Sequence, residues 1–389
     1  MTYKEDYSIP EEVLEQICAE GFDALPDLVR IMINTAMRIE RQRHLGAGLY
    51  ERTPERQGYA NGYKPKTMAT RVGKITFDIP QVRECDFYPS SLEKGIRSER
   101  ALKLALAEMY VQGVSTRKVA AITEQMCGFA VSSSQVSKAT AELDEQLQAW
   151  RERPLGHTRY LYLDARYEKV RQEGQVRDAA VLLAVGVNDE GKREVLGVSV
   201  SLGEHEVHWR SFLQSLVARG LSGVELIISD AHSGIKRATR AVFGGVPWQR
   251  CQCHLQRNAQ AYVPRQSMKG IVASDIRAIF NAPDRQESEA LLRKTVAKYA
   301  QDAPRLSSWM EENLPEGLTV FAFPQKHRRL IRTTNGLERL NREIRRRSRV
   351  ASLFPNEASC SRLVTAVVME ISEDWQTGKR YIRWESDGE

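Results

Sequence analysis

The sequence predicts a mixed α/β protein in which helices cover a sheet, with a helical region before the sheet and an all-helical stretch interrupting it. Three observations point there. The hydrophobic period changes at residue 158 from helical spacing to alternation. The segments from there to residue 251 then run in the order β-β-β-α-β-α-β, which suits a sheet layered with helices. Residues 255–326 return to helical patterning, broken by Pro264, Pro283, Pro304 and Pro315.

Composition narrows the class. With 389 residues, 42% of them hydrophobic, the chain can bury a sizeable core over two or three domains. The longest apolar stretch, Ala179 to Val187, is nine residues, about half of what a spanning helix needs. No signal-like start opens the chain, and six scattered cysteines suit a reducing compartment. A soluble cytoplasmic protein with no membrane partner is the expectation. The net charge of +7 is unevenly spread. Residues 327–349 hold nine arginines against two glutamates, and residues 38–74 hold nine Lys or Arg against three acids. Basic charge in two blocks is the footprint of a nucleic-acid binder.

In chain order, residues 24–42 read as a helix whose apolar residues (Leu28, Val29, Met32, Ile33, Ala36, Met37) span half its circumference. That width suits a helix packed on two sides, one of them in a homodimer, or a small N-terminal core. Arg56–Thr67 reads as a glycine-rich loop in which Lys64 and Lys66, beside Tyr59 and Tyr63, suit DNA contacts. Lys74–Arg83 reads as a strand. Residues 114–148 read as a helix-turn-helix. Val119, Ile122 and Met126 form the inner stripe of the first helix, and Gly128 the break. Val136, Ala139, Leu143 and Leu147 form the stripe of the second. Arg117 and Lys118 precede the turn, and Ser133, Gln135 and Lys138 would face a DNA groove. Strands then follow at Thr158–Arg171, Ala179–Val187, Glu194–Leu202, Val224–Ser229 and Val246–Cys251. Helices fall at Glu206–Ala218 and Ser233–Phe243. One arginine-rich helix follows Asn335, and another helix lies near Leu363–Trp375. The domains expected are 1–112 for dimerisation and DNA binding, 113–150 for the helix-turn-helix, 155–254 for the first part of the core, 255–330 for a helical insertion, and 331–389 for the last helices and tail.

Three acids stand out on this order. Asp164 lies in the first core strand, Asp230 ends the fourth, and Glu338 occupies the first turn of the arginine helix. Strand ends are where ligand crevices open in α/β sheets. Three carboxylates from separate elements suit two Mg2+ ions about 3.5–4 Å apart, with Mn2+ as substitute. Each acid also has a plain reading: Asp230 as a turn former, and Glu338 as part of a capping box with Asn335. Glu343 is set about 140° round the helix from Glu338. Glu338 instead shares its face with Arg342, Arg345 and Arg349, with Arg346 adjoining, so metal and phosphate binding would lie together. Cys251, Cys253 and His254 are potential zinc ligands, but no second Cys/His pair lies nearby to complete a site of four.

The chain resembles the bacterial insertion-sequence transposases related to Mutator elements. The resemblance runs through YLYLDARYEKVR (Tyr160–Arg171), IISDAHSGIKRA (Ile227–Ala238), WQRCQCHLQRN (Trp248–Asn258) and TTNGLERLNREIRRRSR (Thr333–Arg349). Upstream, GYANGYKPK (Gly58–Lys66) and GVSTRKVAAI (Gly113–Ile122) also match. It implies an RNase H-like core with Asp164, Asp230 and Glu338 as its catalytic, metal-holding DDE triad, interrupted by the helical insertion. It also implies that Cys251 and His254 form a Cys-x-x-His motif beside that triad, with His254 contacting the scissile phosphate. The expected function is metal-dependent strand cleavage and strand transfer at terminal inverted repeats, by at least a homodimer, on double-stranded DNA near the nucleoid. A catalytically silent DNA-binding regulator and a nuclease that never rejoins remain open beside it.

Overall fold

The structure, a computed structural model, describes residues 11–48, 50–92, 94–95, 98–349 and 353–384. The first ten and the last five residues lie outside the described residues. The chain divides into two compact units, 1–143 and 144–389.

The first unit holds α1 (Glu11–Glu20), α2 (Leu25–Leu45), β1 (Tyr59–Thr70), β2 (Gly73–Arg83), α3 (Arg100–Val111), α4 (Thr116–Cys127) and α5 (Ser133–Ala141). β2 alternates as a half-buried strand should: Ile75, Phe77 and Ile79 are buried with Met37 of α2, while Lys74, Thr76 and Asp78 stay at the surface. β1, expected as part of a loop, is its antiparallel partner. Only its end, at Met68 and Thr70, is buried, so the segment carries almost no alternating hydrophobic signal. Gly62 at φ 72° and a register shift between Ala60 and Tyr63 accommodate its glycine.

α4 and α5 flank Gly128, which takes the left-handed conformation (φ 69°) and closes α4 by donating its amide to the Glu124 carbonyl at 3.0 Å. The buried stripe of α4 is Val119, Thr123 and Cys127, and Met126 is 75% exposed. The i, i+4 row is filled by small, partly polar residues, so the larger Met126 misdirects a hydrophobicity reading by one position. Ser132 caps α5 in a reciprocal capping box with Gln135. The second helix does not reach Leu147: it ends at Ala141, and α6 (Asp144–Glu152) begins anew in the second unit. There Arg362 clamps Asp144 through two 2.6 Å hydrogen bonds, so tertiary contacts place the break that the apolar stripe conceals.

The second unit continues with β3 (Thr158–Gln172), β4 (Gln175–Asn188), β5 (Arg193–Ser201), α7 (Glu206–Ala218), β6 (Leu226–Ser229), α8 (Ser233–Val242) and β7 (Trp248–Arg250). Then come α9 (Gln252–Ala259), α10 (Lys269–Phe280), α11 (Arg285–Tyr299), α12 (Pro304–Asn313), α13 (Gln325–Ile331), α14 (Asn335–Ser348) and α15 (Glu357–Thr377). The sheet order is β5-β4-β3-β6-β7: β3, β4 and β5 are antiparallel neighbours, whereas β6 runs parallel to β3 and β7 parallel to β6.

Both faces of this sheet are covered, which is why Ala179–Val187 is apolar throughout. Leu161, Leu163, Leu182 and Leu196 pack on one face with Trp209, Phe212, Leu213 and Leu216 of α7 and Ile235 of α8. Each such side chain, fully buried, contributes about 1.5–3 kcal/mol. The other face meets the chain's last helices. There Tyr162 donates to the Leu330 carbonyl at 3.2 Å, and Ser372 of α15 accepts from the Val195 amide at 3.0 Å.

The C-terminal segment closes the unit. Trp384 and His327 pack around Tyr160, whose hydroxyl lies 2.9 Å from His327 Nδ1. The amides of Tyr381 and Ile382 donate to the Gly191 carbonyl at 2.7 and 3.0 Å. Gly191 sits at φ 74°, and a β-carbon there would lie 1.8 Å from the Ile382 carbonyl oxygen. Gly191→Ala should therefore free residues 379–384 and cost more than the ~1–2 kcal/mol of the left-handed backbone alone. Urea titration should show the loss, and limited proteolysis should cut first beyond Thr377; an unchanged digestion pattern would refute this account of Gly191.

Candidate active site

β3 carries alternating side chains to its two faces, and Tyr160, Tyr162 and Asp164 point away from the Leu161–Leu163 core. β3 and β6 pair in parallel from Tyr160↔Leu226 to Tyr162↔Ile228. Asp230 follows directly on the end of β6, beyond the last paired position, and lies close enough to Asp164 for its charge to act there. Burial, and then the charge of Asp230, raise the Asp164 carboxyl to a pKa of about 7. Asp230 is fixed by its own turn, its Oδ1 accepting from the His232 amide at 3.1 Å.

β7 leads directly into α9, with Cys251 as N-cap. The Cys251 amide donates to the Ser229 carbonyl at 2.8 Å, and its sulfur accepts from the amide and hydroxyl of Thr334, each at 3.4 Å. Thr334 is the N-cap of α14, so Cys251 fastens the start of the arginine helix to the end of the sheet. The neighbouring Cys253 thiol, with His254 and Thr334, holds Cys251 well below the ordinary thiol range, and Cys253 is raised in return. His254, in the first turn of α9, is raised by Cys251 and by the charges of Asp164 and Asp230.

Glu338 occupies the first turn of α14 and is 46% exposed, with Oε1 4.0 Å from Arg257 Nη2. Its capping partner is not Asn335, since the cap is Thr334 and no side chain closes a box. The structure thus joins Asp164, Asp230, Cys251 and His254 electrostatically, while Glu338 lies towards Cys253 and Arg257. Among the described residues no three His, Cys, Asp or Glu side chains are gathered closely enough to hold a metal ion.

The expected DNA contacts divide similarly. In the first unit Lys64, Arg117, Lys118, Ser133 and Lys138 are exposed. Lys66 instead donates to the Tyr88 hydroxyl at 2.8 Å, and Gln135 is engaged in its capping box. On α14, Arg342, Arg345 and Arg349 are exposed, and Arg346 pairs with Glu343 at 3.0 Å. Arg347 turns inward to a two-bond pair with Glu370, so part of the basic block is internal.

Sequence reasoning missed four residues. Asn341 Nδ2 donates to Asp164 Oδ2 at 2.7 Å; its spacing of three from Glu338 could have revealed it. Exposed Arg339 extends the stripe of Arg342, Arg346 and Arg349 at helical spacing. Glu204 lies beside Asp230, whose charge adds to burial in raising its pKa against the opposing pull of His232. Tyr167 donates to Glu204 Oε2 at 3.1 Å, and His232 Nε2 lies 3.7 Å from the same oxygen. His232, two residues after Asp230, was the legible signal there.

Two interacting carboxylates, one on a central strand and one just past the end of its parallel neighbour, beside a cationic helix, make this an α/β protein with an acidic centre and an exposed basic stripe. The chain belongs to the Mutator family of transposases, which it matches over residues 2–378. It is 56% identical over 376 residues to the transposase for insertion sequence element IS406 of Burkholderia multivorans, covering 96% of this chain and 97% of that one. It is 44% identical over 370 residues to the transposase for ISRM5 of Rhizobium meliloti, covering 95% and 93%. Identity to the transposase for IS256 in transposon Tn4001 of Staphylococcus aureus is 36% over 386 residues, covering 98% and 95%. No described helix is long and apolar enough to cross a membrane.

The raised Asp164 carboxyl gives a pH test. Its folded value of about 7 lies above the ordinary carboxylate value of about 3.9. Between them the folded chain keeps a proton that the unfolded chain releases, so this group's contribution to stability falls as pH rises from about 4 to about 7, then levels. In EDTA, Asp164→Asn should therefore gain in Tm over wild type progressively from pH 5 to 8; parallel curves would mean that Asp164 ionises normally.

Proposed function

We propose that this chain is the transposase of an insertion sequence: it binds the element's terminal inverted repeats, cuts strands at the ends, and joins the freed 3′-hydroxyl to another phosphodiester. The observation that carries the reading is the closeness of Asp230, the residue after β6, to Asp164 on the neighbouring parallel strand β3, whose carboxyl its charge raises, with Asn341 of α14 bonded to Asp164. The order β5-β4-β3-β6-β7, three antiparallel strands followed by two parallel ones, supports an RNase H-like core. α4 and α5, separated by the Gly128 turn and exposing Arg117, Lys118, Ser133 and Lys138, support a helix-turn-helix reader. The exposed Phe22 and Met32 support the homodimer that holding two ends together requires.

The donor chemistry of the centre suits a hard divalent cation, although among the described residues the three acids are not gathered closely enough to hold one. The donors are carboxylate oxygens, the charge of Asp230 raises the Asp164 carboxyl without a cation, and the buried Asn341 Oδ1 has no hydrogen-bond partner among the described residues. Asp164, Asp230 and Glu338 would hold Mg2+, or Mn2+ in its place, as a pair of ions. Such ions, when bound, supply an activated water or 3′-hydroxyl and stabilise a leaving oxygen. The chain's own residues do the rest. His254, whose pKa is raised by Cys251 and the two acids, contacts the scissile phosphate. Arg342, Arg345 and Arg349 hold the backbone as a sequence-independent clamp. Asp230, anchored by the His232 amide, keeps its carboxylate fixed towards the cleft.

With purified protein, DNA carrying the element's ends and Mg2+, nicked and joined products should form. Asp230→Asn should lose both by at least about a hundredfold, the equivalent of ~2.7 kcal/mol in the barrier. Specific binding without cleavage, with Mn2+ as well, would instead identify a regulator, and cleavage without joining a nuclease. Arg345→Ala should weaken binding to all sequences alike and flatten the salt slope by about one unit. An unchanged slope would make Arg345 an internal charge.

A further inference from the structure

β3 and α14 meet along one row. Asp164, Arg166 and Glu168 alternate to the same face of β3. Against them Asn341 donates to Asp164, the Asn341 carbonyl accepts from Arg166 Nη1, and Ser348, two turns on, donates to Glu168 Oε1 at 3.0 Å. Arg166 and Glu168 are themselves paired at 2.5 Å. Of these ties only the one from Asn341 reaches a carboxylate of the acidic centre. It leaves from the helical position three residues beyond Glu338, on the same side of α14.

We propose that Asn341 is a positioning residue: its amide sets the register of α14 on β3 and thereby places Glu338 relative to Asp164. This rests on the reading of these acids as the metal-holding set. The Nδ2 donor is taken up by Asp164, while Oδ1 is buried and has no hydrogen-bond partner among the described residues. A leucine has nearly the same shape, keeps the helix, and can neither donate nor accept. Asn341→Leu therefore separates the hydrogen bond from the packing, and Asn341→Ala controls for the larger side chain.

The full chain is tested in two ways. Without metal, amide exchange over residues 335–342 should quicken about tenfold in both variants, the factor for losing one hydrogen bond, with α15 unchanged. In a calorimetric titration with Mn2+ alone, the Kd should rise about 10–100-fold, the usual cost of removing a group that orients a metal ligand, at a Tm within a few degrees of wild type. Unchanged exchange overturns the proposal. So does faster exchange at unaltered Mn2+ affinity, which would reduce Asn341 to a structural tie. If wild type takes up no Mn2+, the failure lies with the chemistry proposed above, and the exchange measurement alone decides whether Asn341 holds the helix.

Discussion

The docking of α14 against β3 is the constraint on which the acidic centre depends. A β-strand offers a same-face side chain about every 6.8 Å and a helix one about every 5.4 Å, so the two rows stay in step only over a short distance. Asn341 to Asp164 and Ser348 to Glu168 mark the two ends of that overlap. The internal Arg166–Glu168 pair lies between, covering charges that the contact would otherwise bury alone. At the other end of the helix, the Thr334 cap is fixed to Cys251. A helix held at its start and in its second turn has little freedom to rotate, so its arginines and Glu338 are aimed by contacts made elsewhere on it.

The same arrangement explains the division of labour among the arginines. Charge that faces the core is neutralised at close range, as at Arg347 with Glu370. Charge that faces outward, at Arg339, Arg342, Arg345 and Arg349, has space beside it. Burying Arg347 without a partner would cost several kcal/mol, whereas an exposed arginine costs little and remains available to an anion. One sequence block thus serves folding and surface charge through helical spacing alone.

How much was legible follows from which forces act locally. Alternation and turn residues define the second unit's strands closely, and β3, β5 and α7 fall within a residue or two of their expected bounds, because each is paid for by its own hydrophobic pattern. β1 was not legible: its stability comes from pairing with β2, and its exposed, glycine-containing sequence carries no period of its own. The burial of Thr123 and Cys127 in place of Met126 was hidden because volume and polarity misrank them. The break before α6 was hidden because Asp144 is held by Arg362, more than two hundred residues away. In the site, Asp164 was readable as a strand residue and Asp230 as the residue that closes the next strand. Asn341, Glu204 and Tyr167 gain meaning only from register across elements, which no single segment encodes.

The long reach of those contacts has a consequence for how the protein is made. The partners of β3 on its second face lie 167 to 180 residues later in the chain: His327 for Tyr160, Asn341 for Asp164 and Ser348 for Glu168. During synthesis, the α7–α8 side of the sheet can assemble while the opposite face still waits for helices not yet translated. That face carries buried apolar residues and a pair of carboxylates, so the nascent chain passes through a stage at which it is exposed to solvent and to other chains. A polypeptide that ends early, before α14 and α15, would keep the acids but never gain the helix that orients them. Completeness of the chain and assembly of the acidic centre are therefore one event.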